Sequence, residues 1–463
     1  MRWINRLYVS GILPLLEPLT HRGLATKLAM MNRLEKNSLK ENTEVQHQAL
    51  QKLLQHAYES SPFYRRRFED AGISAADFKS PACLSAIPPL SRDDIRSNLD
   101  KIRSDRYPKE SLWPAATGGT TDTPVPLLRD PESVRNKIAV QQEFDSWAGF
   151  LPGDKVLYLW GARSDYSENP SWRWRLYDRH LMRRVWAPTS LFNAGVLESY
   201  RRSMNDFRPR TVYAYPTPLY LFCEYVRNHR LDCHRPKNAI CTAEPLLVHQ
   251  RVLIEEVLGC PVFEHYGSRE FGMIAAECEC HQGLHVNPLS CYLEFIPIVG
   301  AEREGLCEIY VTDLLNYGAP LIRYKVNDCA LPATAPCSCG RGFPLIKQVV
   351  GRSTDVFVLA NGDSVPGVTL TNRVLQVCPG LKKTQVIQNS LNDFMIRYVP
   401  GESFSVRDLD LLKTNLTKFF PTTVNWAFEE VQDIPRERSG KTRFCISYVR
   451  PSAAVSVGDG ARQ

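Results

Sequence analysis

The sequence predicts an α/β protein built on a parallel sheet covered by helices, and three observations lead there. Four short apolar runs, residues 156–160, 211–214, 238–241 and 261–264, follow one another between Asp154 and Gly272. Stretches with helical spacing, such as 219–227 and 247–258, separate them, and strands that alternate with helices pair in parallel through crossovers. A chain of 463 residues, 43% hydrophobic and 23% charged, is also long enough for a large core and for two or more domains.

In chain order, the N-terminus reads MRWINRLYVSGILPLLEPL, where two arginines precede a short apolar run in the manner of a targeting signal. Pro14 and Glu17 interrupt the run, which is too short to span a bilayer. The expectation is a cytoplasmic protein with no transmembrane segment and with scope for peripheral membrane contact. From residue 44 to 58, Ala49, Leu50, Leu53, Leu54, Ala57 and Tyr58 recur at helical spacing and predict an amphipathic helix. SSPFYRRRFEDAGI and IPPLSRDDIRSNL then place Ser and Pro ahead of further helical segments.

Residues 115–129, AATGGTTDTPVPLLR, set two glycines before two threonines. Such a loop is rich in backbone N–H and hydroxyl donors and suits the oxygens of a triphosphate. A polar turn between two strands has the same composition. Residues 172–186, WRWRLYDRHLMRRVW, interleave aromatics with Arg173, Arg175, Arg179, Arg183 and Arg184. A nucleic-acid or membrane-surface patch is one reading; a solvated helix face beside a packed aromatic face is the plainer and preferred one. The net charge of +7 accommodates anionic substrates, nucleic acid or membrane and decides nothing alone.

Residues 263–272, FEHYGSREFG, close an apolar strand, and open α/β sheets bind ligands at the carboxyl ends of parallel strands. Tyr266 is suited to lie flat on a purine, Gly267 to let the backbone approach it, and Glu270 to hold a magnesium ion that bridges phosphates. Ala243 and Glu244 end another short strand and are expected to line the same crevice. Trp160, Tyr213 and Tyr215 nearby suit an aryl acid and suit a packed core equally.

Fourteen cysteines without a secretory signal argue against a disulfide framework. Cys278 and His285 in ECECHQGLH, with Cys337 and Cys339 in APCSCGRG, supply three thiols and an imidazole, the ligand set of a closed structural zinc site. Cys280, His281 and Cys329 lie close in sequence and compete for ligation. The zinc would staple the segment after YGSRE to the segment after Asp328 without touching substrate.

Six motifs occur in one order: the Gly/Thr loop at 117–124, TAEPL at 242–246, YGSRE at 266–270, RYKVND ending in Asp328, GRSTD at 351–355 and IPRERSGKTRF at 434–444. In this order they resemble the adenylate-forming enzymes, and over roughly residues 50 to 450 the chain is similar to the phenylacetate-coenzyme A ligase-like branch. That branch includes relatives found with capsule and polysaccharide genes, and some of its members have corresponding cysteines and histidine.

The resemblance implies a large AMP-binding domain over residues 1–351 and a small α+β lid over 352–463, turning about a hinge where Thr354 takes the usual acidic position. It also implies ATP, Mg²⁺ and coenzyme A. A carboxylate attacks the α-phosphate, pyrophosphate leaves, and a thiol takes the acyl group from the adenylate. Thr117, Gly118, Gly119, Thr120 and Thr121 would cradle the β and γ phosphates, while Tyr266 would stack on adenine and Glu270 would bind magnesium. Asp328 would accept the ribose hydroxyls, Arg352 would contact ribose or phosphate, and Lys441 would meet the carboxylate and α-phosphate. Ala243, Glu244 and Gly267 complete the nucleotide set. The partners implied are a small carboxylic acid and a second copy of the chain, with no nucleic acid.

The chain departs from the pattern at Asp122 and Asn327, where relatives carry Gly, and at Arg269, where they carry a hydroxyl residue. Two alternatives therefore stand beside the ligase: transfer of the acyl group to an amine or hydroxyl in polysaccharide or natural-product assembly, and a non-catalytic nucleotide-binding relative.

Overall fold

The computed structural model describes residues 24–117, 124–160, 171–189, 194–298, 305–352, 356–360, 364–366, 378, 380–401, 404–417, 420, 423–435 and 445–449. They fall into two compact units, one holding residues 24–296 and Cys307–Val350, the other Pro297–Leu306 and residues from 351 onward.

The first unit begins with α1 (Leu24–Leu34) and α2 (Leu39–Ser60). Ser38 starts α2 as a reciprocal cap, accepting from the Glu41 N–H while Glu41 accepts from the Ser38 N–H at 2.7 Å. The helix predicted over 44–58 is thus longer than its apolar repeat, and it buries Leu50, Leu53, Leu54 and Ala57. α3 (Pro62–Asp70) opens on a proline, which needs no N–H partner there, and sets Tyr64 and Phe68 in the same core. α4 (Arg92–Ile102), the hairpin of β1 (Trp113–Ala116) with β2 (Pro126–Arg129), and α5 (Pro131–Trp147) follow.

The alternating region folds as read. β3 (Val156–Trp160), β4 (Arg184–Pro188), β5 (Thr211–Ala214), β6 (Asn238–Thr242) and β7 (Val262–Ser268) pair in parallel in the order β4-β3-β5-β6-β7. Between them run α6 (Trp172–Leu176), α7 (Ala194–Phe207), α8 (Pro216–Asn228) and α9 (Val248–Leu258). β5 and β6 are buried at every position, which is why they read as unbroken apolar runs.

The segment between the two cysteine clusters reads as strand-rich, but its joining the same sheet was not anticipated. β8 (Gly272–Glu277), β9 (Leu284–Val286), β10 (Cys291–Pro297), β11 (Cys307–Asp313), β12 (Tyr324–Pro332) and β13 (Leu345–Arg352) extend it to eleven strands in the order β10-β11-β12-β13-β9-β8-β7-β6-β5-β3-β4. β7 with β8, β8 with β9, β9 with β13 and β11 with β12 are antiparallel. The sheet is therefore mixed, and residues 263–272 form the end of β7 and the hairpin turn into β8.

A second correction concerns residues 172–186. α6 passes into a wider π-helical turn (Tyr177–Leu181), and Arg184 to Trp186 are already strand β4. Trp186 stacks on Tyr158 at 4.3 Å, but Trp172 and Trp174 point to solvent, so the expected packed aromatic face is absent there.

The second unit contains the hairpin β14 (Val356–Val358) and β15 (Ser364–Pro366). It also contains a four-stranded sheet in the order β18-β17-β16-β19, formed by β16 (Leu381–Gln388), β17 (Asp393–Pro400), β18 (Asn425–Glu430) and β19 (Cys445–Ser447). Its core gathers Phe357, Phe394, Phe420 and Leu412 from α10 (Val406–Leu416). Among the described residues no helix is long and apolar enough to cross a membrane.

Candidate active site

The turn between β7 and β8 brings two of the predicted side chains to strand β12. Tyr266, near the end of β7, donates its hydroxyl to Asp328 Oδ2 at 2.7 Å, and Tyr324 donates to Glu270 Oε1 at 3.2 Å. Burial, then the Asp328 charge, pushes the Tyr266 hydroxyl well above its ordinary range; burial and Glu270 do the same to Tyr324. Both phenols therefore stay protonated and act as donors. Asp328 follows Asn327, which sits at φ 62, in the left-handed region that glycine or asparagine tolerates best. The Gly-to-Asn departure thus keeps the backbone shape.

The turn itself is pinned from three sides. Phe271 is fully buried with its ring 5.8 Å from that of Tyr324. Lys137 on α5 donates to the Glu270 carbonyl at 3.1 Å and pairs with the buried Asp313 at 2.6 Å. Arg129 on β2 donates to the Arg269 carbonyl. The ladder shifts register between Tyr266 and Gly267, and a Cβ on Gly267 would lie 2.6 Å from the Gly272 carbonyl oxygen. Packing within the hairpin thus requires this glycine whatever else approaches it.

Of the other predicted residues, some have their own local partners and the rest lie outside the described set. Thr117 closes the base of the Gly/Thr loop, donating its N–H to the Val125 carbonyl at 3.0 Å and accepting from the Val125 N–H through its hydroxyl at 2.9 Å. The loop therefore spans two paired strands. Gly118, Gly119, Thr120, Thr121, Asp122, Thr354 and Lys441, like the side chain of Arg352, lie outside the described residues. Ala243 adopts φ 72, a strained conformation for a residue with a Cβ. Glu244 Oε2 accepts from the Thr217 hydroxyl at 2.7 Å and from its N–H at the start of α8, while Oε1 is buried with no hydrogen-bond partner among the described residues. Tyr213 and Tyr215 are buried, and each packs on Trp160, at 6.0 and 4.9 Å between ring centres.

The strands of the hairpin carry a group of buried and half-buried ionisable side chains. Burial and the neighbouring Glu277 push Glu264 up to about 8, and burial brings His265 down to about 4. Glu277 resists the same burial because His281 and a bidentate Arg251, at 2.8 and 2.9 Å, hold it below its ordinary value. Glu264 enters this network through its N–H, which donates to Glu277 at 2.8 Å.

The cysteine cluster closes as its residue types suggest. One ligand atom from each of Cys278, His285, Cys337 and Cys339 lies within 4.8 Å of all the others. Cys278 Sγ and Cys337 Sγ are 3.6 Å apart, and Cys339 Sγ is 3.5 Å from His285 Nε2. Tetrahedral zinc with three thiolates and an imidazole needs separations of about 3.4–3.8 Å, so the donor set fits. The N–H groups of Cys280 and Arg341 donate to the sulfurs of Cys278 and Cys339 at 3.4 Å, the kind of bond that stabilises a thiolate. The edge of Trp147 holds the His285 ring, and Arg341 covers Trp147 at 4.9 Å. Of the competitors, His281 is engaged with Glu277 at 3.2 Å, and Cys280 contributes its backbone N–H.

Tyr324, Thr217, Lys137 and Asp313 were not singled out in sequence. Tyr324 lies inside the quoted RYKVND on the strand that carries Asp328, and could have been found there; the other three carry no local signal.

Comparison with known proteins agrees with the motif order. Residues 357–448 match the CapK C-terminal domain. The chain is 26% identical to Protein CapK of Staphylococcus aureus over 415 residues, covering 88% of this chain and 89% of that one. It is also 26% identical to the phenylacetate-coenzyme A ligase of Escherichia coli K12 over 355 residues, covering 72% and 76%. A solved 2-hydroxyisobutyryl-CoA ligase, in its postadenylation state, superposes with a TM-score of 0.70 at 20% identity, covering 90% of this chain and 91% of that one. The chain thus has the fold of the adenylate-forming coenzyme A ligases, and its relatives are CapK and the phenylacetate-coenzyme A ligases, as the motifs suggested.

Proposed function

We propose that this protein is an ATP-dependent ligase that activates a carboxylic acid as its acyl-adenylate and passes it to the thiol of coenzyme A. The observation that carries the reading is the corner where Tyr266 meets Asp328 and Glu270 meets Tyr324: an aromatic ring and two carboxylates with different duties, held by one hairpin and one strand. The relatives named for coenzyme A ligation support the same reading.

In this proposal the Tyr266 ring stacks on adenine, Ala243, Glu244 and Gly267 shape the nucleotide pocket, and Asp328 accepts the ribose hydroxyls. Glu270 keeps one oxygen on Tyr324 and offers the other to magnesium, which, when bound, neutralises phosphate charge. Thr117 to Thr121 hold the β and γ phosphates, Arg352 contacts ribose or phosphate, and Lys441 brings a cation to the carboxylate and α-phosphate. No protein nucleophile is needed, because adenylyl transfer rests on positioning and charge neutralisation. Residues 352–463 act as the lid that carries Lys441. The cysteine cluster is proposed to hold one structural zinc remote from the reaction.

The test is a screen of pyrophosphate release over aryl, fatty and hydroxy acids, with and without coenzyme A. Acid-dependent release with thioester formation supports the ligase. Release without thioester would move the acceptor to an amine or hydroxyl, and no release with any acid would leave a nucleotide-binding relative.

A further inference from the structure

We propose that the surface formed by residues 172–183 docks this protein on a lipid bilayer that carries anionic headgroups. The inference does not depend on the adenylation reading.

Three large apolar side chains stand out from one short excursion between β3 and β4. Trp172 is 67% exposed, Trp174 62% and Leu176 48%. Tryptophan is mostly buried in globular proteins, and two of them beside an exposed leucine exceed the scattered apolar residues of an ordinary surface. Among the described residues, Trp174 meets Tyr177 edge to face at 5.4 Å, and Trp172 carries the Arg173 guanidinium at 5.5 Å.

The surroundings are cationic. Arg173, Arg179 and Arg183 lie on the excursion itself, and Arg179 and Lys155 both sit over the Phe207 ring, at 5.4 and 5.1 Å. Burial, then Arg183, Arg179 and Arg208, hold the Lys155 ammonium below its ordinary value, a sign of how closely these cations crowd. Among the described residues, Asp178 is engaged by Arg184 at 2.9 Å and Asp154 by Arg210 at 3.2 Å.

Charge complementarity selects the occupant. A second copy docking through the same patch about a two-fold axis would set cations against cations. Single-stranded RNA would meet the arginines and stack on the indoles but offers no apolar seat for Leu176. An anionic bilayer satisfies all three features, with indoles at the headgroup level, leucine in the acyl boundary and guanidinium groups on phosphates.

The test is co-sedimentation of the full chain with vesicles of phosphatidylcholine alone and of phosphatidylcholine with phosphatidylglycerol in a ratio of about 70:30. The expected result is partitioning about tenfold stronger onto the anionic vesicles, weakened severalfold by high salt. Trp172→Ala/Trp174→Ala/Leu176→Ala should lower it about tenfold. Arg173→Glu/Arg183→Glu should remove the preference for anionic lipid. Because the triple variant alters exposed side chains, its melting temperature should be that of the wild type. Equal binding by the wild type and the triple variant would overturn the proposal, as would no vesicle binding at all. Loss of binding on deleting residues 2–19 but not in the triple variant would also overturn it. So would a patch-dependent dimer, or patch-dependent binding of an RNA oligonucleotide, without vesicle binding.

Discussion

The cysteine cluster and the Tyr266 corner are attached to the same run of strands, yet their polar atoms are arranged in opposite ways. At the cluster, three sulfurs and one imidazole nitrogen converge on a common point, and His285 Nδ1 is buried with no hydrogen-bond partner among the described residues. At the corner, the functional groups cap one another, Tyr266 on Asp328 and Tyr324 on Glu270. The first is the arrangement of a site that binds once and stays closed. On the proposed function, the second would hold its charged groups satisfied until a ligand replaces one partner, as a site with turnover requires.

The largest effect expected from this contrast is on zinc. Protein purified without a metal-binding tag should contain about one zinc per chain, and Cys337→Ser should reduce this to near zero and lower the melting temperature. A closed site contributes folding energy directly, so the loss should be on the order of several kcal/mol. Chelation of the wild type should reproduce it. Metal-free protein with unchanged melting after the substitution would remove the metal from the account.

At the corner, Glu270→Gln keeps the shape and the Tyr324 bond but removes the charge offered to magnesium. Adenylation should fall about 10²–10³-fold with the fold intact, the usual scale for losing one electrostatic group from such a transition state. Unchanged rates at all magnesium concentrations would reassign Glu270 to a structural role.

A smaller effect comes from the ionisable groups on the hairpin strands. Glu264 keeps its proton up to about pH 8 in the folded chain, whereas in the unfolded chain it loses it near its ordinary value of roughly 4.3. Between those limits the folded state binds more protons, so stability falls as pH rises through the window. Glu264→Gln should flatten that fall by on the order of 1–3 kcal/mol, read as the difference in denaturant midpoint between pH 5 and pH 8. A variant with the same pH slope as the wild type would show that Glu264 is charged when folded.

The smallest effect sharpens the comparison most. Tyr266→Phe keeps the ring and frees Asp328 from its cap, so KM for ATP should fall about threefold with kcat unchanged, the worth of roughly one net hydrogen bond. A rise in KM would mean that the hydroxyl serves the nucleotide itself. The cap would then be part of the binding site and no longer its resting state.

What was legible in sequence follows the range of each interaction. The parallel half of the sheet was visible because its strands are buried on both faces and separated by helices, so β5 and β6 read as apolar runs. The antiparallel pairing was not, since among the described residues β8 to β13 have no helices between them to mark their ends. The cysteine cluster was legible by residue type, but the choice of His285 over His281 depends on β9 pairing with β13, where His285 lies opposite Leu345. Tyr324 went unassigned although its motif was quoted, because its partner Glu270 is brought to it by contacts 54 residues apart in sequence. Lys137 and Asp313 had no signal, being 176 residues apart and ordinary on their own elements. The exposed tryptophans of α6 were misread because helical spacing cannot tell which neighbour, if any, covers a face.

The central claim is that the carboxylate attacks the α-phosphate of ATP. The most direct measurement uses the best acid from the pyrophosphate screen, labelled with ¹⁸O in its carboxyl group, with the nucleotide product analysed by mass spectrometry. The account predicts AMP carrying one ¹⁸O atom from the acid, with unlabelled pyrophosphate. Production of ADP, or of AMP without label, would contradict it.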